Sequence, residues 1–133
     1  MPGGAGDAEY LAAFHEVVRP VVEAYRPDLM IVSAGFDPHE NDPLGGMHVT
    51  APTFGEMGAL LTHAASDLGA PTVFVLEGGY DLDGLDQSVR AVLDRLKTET
   101  PPAAAPEHSR LTPILDAVKH AHEHFQPLAH AHR

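Results

Sequence analysis

From Ala8 onward, apolar residues recur at intervals of three and four: Leu11, Phe14, Val17, Val18, Val21, Val22 and Tyr25. That spacing predicts a helix with one buried face. Pro20 falls inside it and predicts a kink or a break, because its ring removes a backbone donor. Pro27-Asp28 ends the pattern. Leu29-Met30-Ile31-Val32 follows as a short continuous apolar run, which predicts a strand buried on both faces, as in parallel sheets. A second helical stripe comprises Phe54, Met57, Leu61, Ala64 and Leu68. Thr50 fits its N-cap, Pro52 its first turn and Gly69 its end. Thr72-Val73-Phe74-Val75-Leu76 predicts a second buried strand, and Leu82, Leu85, Val89, Val92 and Leu96 a third helix.

The order helix, strand, loop, helix, strand, loop, helix defines an α/β fold class with βαβ units and a parallel sheet. Residues 1 to 7 are small and glycine-rich, which predicts a flexible end. Residues 99–107, with Pro101, Pro102 and three consecutive alanines, read as a Pro/Ala linker. Residues 108–133 form a histidine-rich helix and tail, with Leu111, Ile114, Leu115, Val118 and Phe125 as a fourth stripe. His120 and His124 are four apart on one helix face, a spacing able to hold a divalent ion, although an alanine- and histidine-biased tail reads as simply.

Composition narrows the function classes. Lys and Arg total 8 against 19 Asp and Glu, a net charge of −11 with His neutral. Such a chain lacks the basic footprint for phosphate backbones and suits cationic partners, so no direct nucleic-acid binding is expected. There are no cysteines, which removes disulfides, thiolate zinc sites and a cysteine nucleophile together. No apolar run approaches the roughly 20 residues of a membrane span, and the first residues resemble no signal peptide. The expectation is a soluble cytoplasmic protein without a membrane partner. Glu56, Asp67 and Asp86 read as solvation of helix faces.

Candidate chemistry gathers where the two strands end, the edge at which open parallel sheets bind ligands. Asp37 lies four residues after Ser33, and Tyr80 four after Leu76. On neighbouring strands both side chains reach one crevice. Pro38 holds Asp37 extended, and Gly35, Gly78 and Gly79 permit tight turns. The same residues also fit a turn-forming aspartate and a packed tyrosine.

The longer strings are more specific. Ser33-Ala34-Gly35-Phe36-Asp37-Pro38-His39, followed by Asp42-Pro43-Leu44-Gly45-Gly46-Met47, resembles the zinc-ligand loop of the histone deacetylase family, which includes acetylpolyamine amidohydrolases and acetoin-utilization proteins. Leu76-Glu77-Gly78-Gly79-Tyr80 resembles that family's catalytic tyrosine loop, and the likeness covers roughly residues 4 to 97.

The resemblance implies an incomplete arginase/deacetylase-like three-layer fold, with residues 1–98 as the C-terminal portion of a deacetylase-like domain. It implies a Zn²⁺-dependent amidohydrolase acting on an acetyl-lysine or acetylated amine. Asp37 would be a zinc ligand and Tyr80 the oxyanion donor. Leu44, Gly78 and Gly79 would line the substrate channel. Asp42 would order the loop, and His39 would lie behind the ligand or at the surface.

The family's upstream Asp-x-His and His-His motifs have no counterpart here. The only Asp-x-His is Asp37-Pro38-His39, and no His-His pair occurs. The zinc site is therefore expected to be incomplete in this chain and the isolated chain inactive. An N-terminal half or a homo-oligomer partner would have to complete it. The alternative is a non-catalytic α/β remnant acting as an association module.

Overall fold

A computed structural model of the chain describes residues 1–98, 100–107 and 109–123. Helix α1 (Asp7–Ala13) passes into a π-helical segment (Phe14–Val18) and then α2 (Arg19–Tyr25). Strand β1 (Met30–Ala34), helix α3 (Ala51–Asp67), strand β2 (Thr72–Leu76), helix α4 (Leu82–Leu96) and helix α5 (Thr112–Glu123) follow.

Pro20 neither breaks the first helix nor stops it. The chain widens immediately before it, and the Arg19 amide donates to the Phe14 carbonyl five residues back. A wider turn accommodates a ring that has no N–H to give. Arg26 then closes the helix at φ 54°. Tyr25, expected in the buried stripe, is 74% exposed because it lies in the final turn, beyond the packed part of the face.

The two strands are parallel neighbours, running from Met30 opposite Thr72 to Ala34 opposite Leu76. The parallel βαβ arrangement expected from the pattern is present. Burial on both faces is not. Val32 and Phe74 pack toward the helices, whereas Ile31, Val73 and Val75 remain 65%, 46% and 44% exposed. The continuous apolar runs are written for a sheet covered on both sides, and these helices cover one.

That covered side holds Phe36, Val49, Phe54, Met57 and Val92, with Met30, Leu61, Ala65 and Ala70 beyond them. Helix α3 is buried along most of its length and lies close to α4. Gly55 and Gly58 allow this approach. A Cβ at Gly55 would stand 2.9 Å from the Ala91 carbonyl oxygen, and one at Gly58 3.2 Å from Val92. Gly69 ends the α3 connection at φ 76°, a left-handed geometry that suits glycine.

The first residues are ordered, contrary to the expectation of a flexible end. Gly6 forms a parallel bridge with His48, the His48 amide donates to the Ala5 carbonyl, and Ala5 is fully buried. Asp7 accepts from both the Thr50 amide (2.7 Å) and the Thr50 hydroxyl (2.9 Å). Thr50 does occupy the N-cap position of α3, but its hydroxyl serves Asp7 rather than the helix. These partners lie more than 40 residues away in sequence, so local composition carried no sign of them.

The segment after α4 is strapped to the body. Arg95 donates to Glu56 and to the Thr100 and Pro101 carbonyls, and Glu56 also accepts from the Ala103 amide. Glu56 thus holds a strap rather than merely solvating a face. Its carboxyl is held below the usual range, mainly by Arg95. In α5, Leu111 and Leu115 pack on Ala12 and Val17, while Ile114 and Val118 face outward. His108, His124, Phe125, His130 and His132 lie outside the described residues, and with them the expected His120–His124 pair.

Candidate active site

Beyond the strands the ladder continues into the loops. The Glu77 amide donates to the Ala34 carbonyl (3.1 Å), and the Phe36 amide to the Gly78 carbonyl (2.9 Å). Two more rungs therefore bind the loop bearing Asp37 to the loop bearing Tyr80. Asp37 and Tyr80 line one open groove of about 570 Å³, with Ser33, Gly35, Pro38, Glu77 and Gly78. This is the shared edge expected from the strand ends.

The Asp37 carboxylate lies where side chains have been removed. A Cβ on Gly78 would overlap both of its oxygens, and one on Gly35 would stand 2.9 Å from Oδ2. Gly45 closes against the Asp37 carbonyl from behind, leaving no room for a side chain there. Gly79, at φ 125°, turns the second loop over Phe36. Gly78 thus makes room for Asp37 as well as lining the groove. Leu44 is 73% exposed beyond the turn, and Tyr80 is 60% exposed.

Asp42 is buried, and its carboxylate accepts from the amides of Leu44 (2.8 Å), Gly45 (2.9 Å) and Tyr80 (2.7 Å). The Tyr80 amide is the chief cause of a carboxyl held below its ordinary range. His39 is not at the surface. It is 3% exposed, stacks on Phe54 at 6.3 Å and packs against Gly84, where a Cβ would meet Nδ1 at 2.5 Å. Its Nδ1 accepts from the Asn41 amide (3.2 Å). Pro38 and the bridge to Val49 draw the ring inward, away from the groove. Asp81 caps α4 through the Gly84 amide (2.7 Å), so Tyr80 sits directly before a fixed helix start.

Sequence reasoning missed two supports of this edge. Glu9 accepts from the Gly6 amide (2.9 Å) and from Arg110 (3.0 Å), holding the N-terminal segment against the return limb of the Asp37 loop. Arg110 brings the Glu9 carboxyl down to about 2. Only the spacing of Glu9 three residues after Gly6, a helix-start signature, could have signalled half of it.

As a metal donor, Asp37 offers a hard oxygen in a glycine cradle, suited to one ligand position on Zn²⁺. A catalytic zinc needs three protein ligands. Among the described residues no group of three His, Asp or Glu side chains comes together to hold a metal. The residues present therefore do not fit a whole zinc site, only one corner of it. Among the described residues, no helix is long and apolar enough to cross a membrane.

A strand-end carboxylate and a phenol thus share one groove, on loops laced together at the edge of a parallel sheet in an α/β fold. The comparisons make the class specific. Residues 1–96 match the family model for the histone deacetylase domain. The chain is 38% identical to histone deacetylase 15 of Arabidopsis thaliana over 133 residues, covering 96% of this chain and 23% of that protein. It is 43% identical to histone deacetylase HDA1 of Saccharomyces cerevisiae over 100 residues, covering 74% of this chain and 14% of that protein.

Among solved structures, the HDA15 HD domain superposes with a TM-score of 0.79 at 34% identity, over 96% of this chain and 35% of that one. The histone deacetylase Clr3 gives 0.72 at 32% identity, over 98% and 21%. The chain belongs to the histone deacetylase family. It spans less than a quarter of the two curated relatives and about a third of the HDA15 domain.

Proposed function

We propose that this chain supplies one part of the active site of a zinc-dependent deacetylase that hydrolyses the N-acetyl amide of an acetyl-lysine or acetylpolyamine. The observation that carries this reading is the placement of Asp37 and Tyr80 in one groove, the carboxylate seated between Gly35 and Gly78. Asp37 would hold one position on the zinc, and the metal, when bound, would supply polarisation of the amide carbonyl and acidification of water. The remaining ligands and the general base come from residues outside this chain.

Tyr80 donates a hydrogen bond to the amide oxygen as that oxygen takes on negative charge. Its exposed side chain suits a group that acts on a ligand rather than on the core. Gly78 and Gly79 keep the wall thin enough for an extended acyl-amine chain, and exposed Leu44 lies against the stem of that chain. The Asp37 and Glu77 carboxylates, with the net charge of −11, favour a substrate carrying positive charge around its neutral acetamide.

The test is acetate release from an acetyl-lysine peptide. Expressed within a complete deacetylase domain, these residues should support release that stops on chelation. The isolated chain should release none. Chelator-insensitive release, or turnover by the isolated chain, overturns the reading.

A second reading, a non-catalytic association module, is favoured by the exposed sheet face at Ile31, Val73 and Val75. An apolar face of that kind on a rigid sheet asks for a cover. Stoichiometric, tightly held zinc in the assembled protein supports the deacetylase; its absence there supports the module.

A further inference from the structure

Asp42 lies behind the groove, and its two carboxylate oxygens face different loops. Oδ1 takes the Leu44 and Gly45 amides at 2.8 and 2.9 Å. A short-range aspartate turn of this kind is common and by itself explains only the local bend. Oδ2 does something else: it takes the Tyr80 amide at 2.7 Å, from a residue 38 positions away. The Asp42 amide is anchored in turn on the His39 carbonyl at 2.9 Å. Gly45, held by the same carboxylate, is packed against the Asp37 carbonyl. One buried side chain therefore joins the turn that backs Asp37 to the backbone of the residue that carries the groove's hydroxyl.

We propose that Asp42 is a positioning residue whose carboxylate holds Tyr80 in place beside Asp37. The chemistry requires an anion with two accepting oxygens. Asparagine has nearly the same shape but only one accepting oxygen. Whichever way its amide is turned, an NH₂ group then faces backbone N–H donors and those donors go unpaired. Bonds from backbone amides to a carboxylate are also stronger than neutral ones. The consequence for rate rests on the deacetylase reading of Tyr80; the tie between the loops does not.

The experiment is amide NMR on the 133-residue chain and its Asp42→Asn variant. In the parent chain the Tyr80 amide should resonate downfield and exchange slowly, as a donor to a buried carboxylate does. In D42N it should move upfield and exchange about 10- to 100-fold faster. The Leu60 and Ala65 amides of α3 should be unchanged. A Tyr80 amide unaffected by D42N, or acceleration equal to that at Leu60, overturns the proposal.

Should D42N fail to fold, the parent decides, since a Tyr80 amide that exchanges like an exposed one also overturns it. Within a complete deacetylase domain, D42N should lower kcat more than it raises KM. If the amide responds as expected while kcat holds, the role given to Tyr80 fails and the positioning role of Asp42 stands.

Discussion

The Asp37 carboxylate rests against the backbone of Gly78, in space that any other residue's side chain would fill. Two loops that are 41 residues apart in sequence are thereby matched atom to atom. The match follows from the ladder rungs at Ala34–Glu77 and Phe36–Gly78, which bring the loops together before either turns away. Gly78→Ala should push the Asp37 carboxylate out of the groove. The expected cost is about 1–3 kcal/mol of stability, from overpacking against a rigid backbone. In a complete domain, zinc should be lost with it. Denaturant unfolding and metal content together check this outcome.

The roles given to Asp37 and Tyr80 separate by readout. In a complete deacetylase domain, Asp37→Ala should lose zinc and activity together. Tyr80→Phe should keep zinc and lose about 10²–10³ in rate, because it removes one hydrogen-bond donor to the reacting oxygen. Metal analysis and acetate release on the same samples distinguish the two. A Tyr80→Phe variant as fast as its parent would remove the phenol from the mechanism.

Much of this edge was legible in the sequence, for a physical reason. Strands and helices announce themselves by period, and the site lies where two strands end, so Asp37 and Tyr80 could be placed before any coordinates. Thr72–Leu76 was readable to the residue, and the stripe from Leu82 to Leu96 marked the helix that follows it. What could not be read depends on distant partners. Nothing local to Ala5-Gly6-Asp7 shows that His48 and Thr50 lie beside them. Nothing local to Ile31 and Val73 shows which face of the sheet the helices cover. His39 looked like a polar group near a ligand, yet Phe54 and Gly84 enclose it. Long-range packing decides such cases.

The α3–α4 contact offers a test of the fold free of any functional assumption. Gly55→Ala raises helix propensity by about 1 kcal/mol. It also places a Cβ 2.9 Å from the Ala91 carbonyl oxygen, a backbone atom that moves only if the helices part. The clash should win, with net destabilisation of about 1–3 kcal/mol. Gly3→Ala, where a Cβ would meet nothing within 4 Å, should be neutral to about 0.5 kcal/mol. Urea midpoints of the two variants check the contrast.

Acid should loosen the N-terminal segment through Glu9. Arg110 and the Gly6 amide bring its carboxyl from 4.5 to about 2 in the folded chain. A carboxyl depressed by folding stabilises the folded state fully above its unfolded value and loses that contribution as protons are taken up. The Glu9 contribution should therefore be complete above about pH 4.5 and fade as pH falls toward about 2. Other carboxylates titrate in the same window, so the parent alone does not isolate it. The difference in unfolding free energy between parent and Glu9→Gln does: it should shrink steadily from pH 5 toward about 2. Arg110→Ala should weaken the same dependence, because Arg110 is the largest cause of the shift. A parent-minus-E9Q difference that stays flat across that range would show that the Arg110–Glu9–Gly6 tie does not hold in solution.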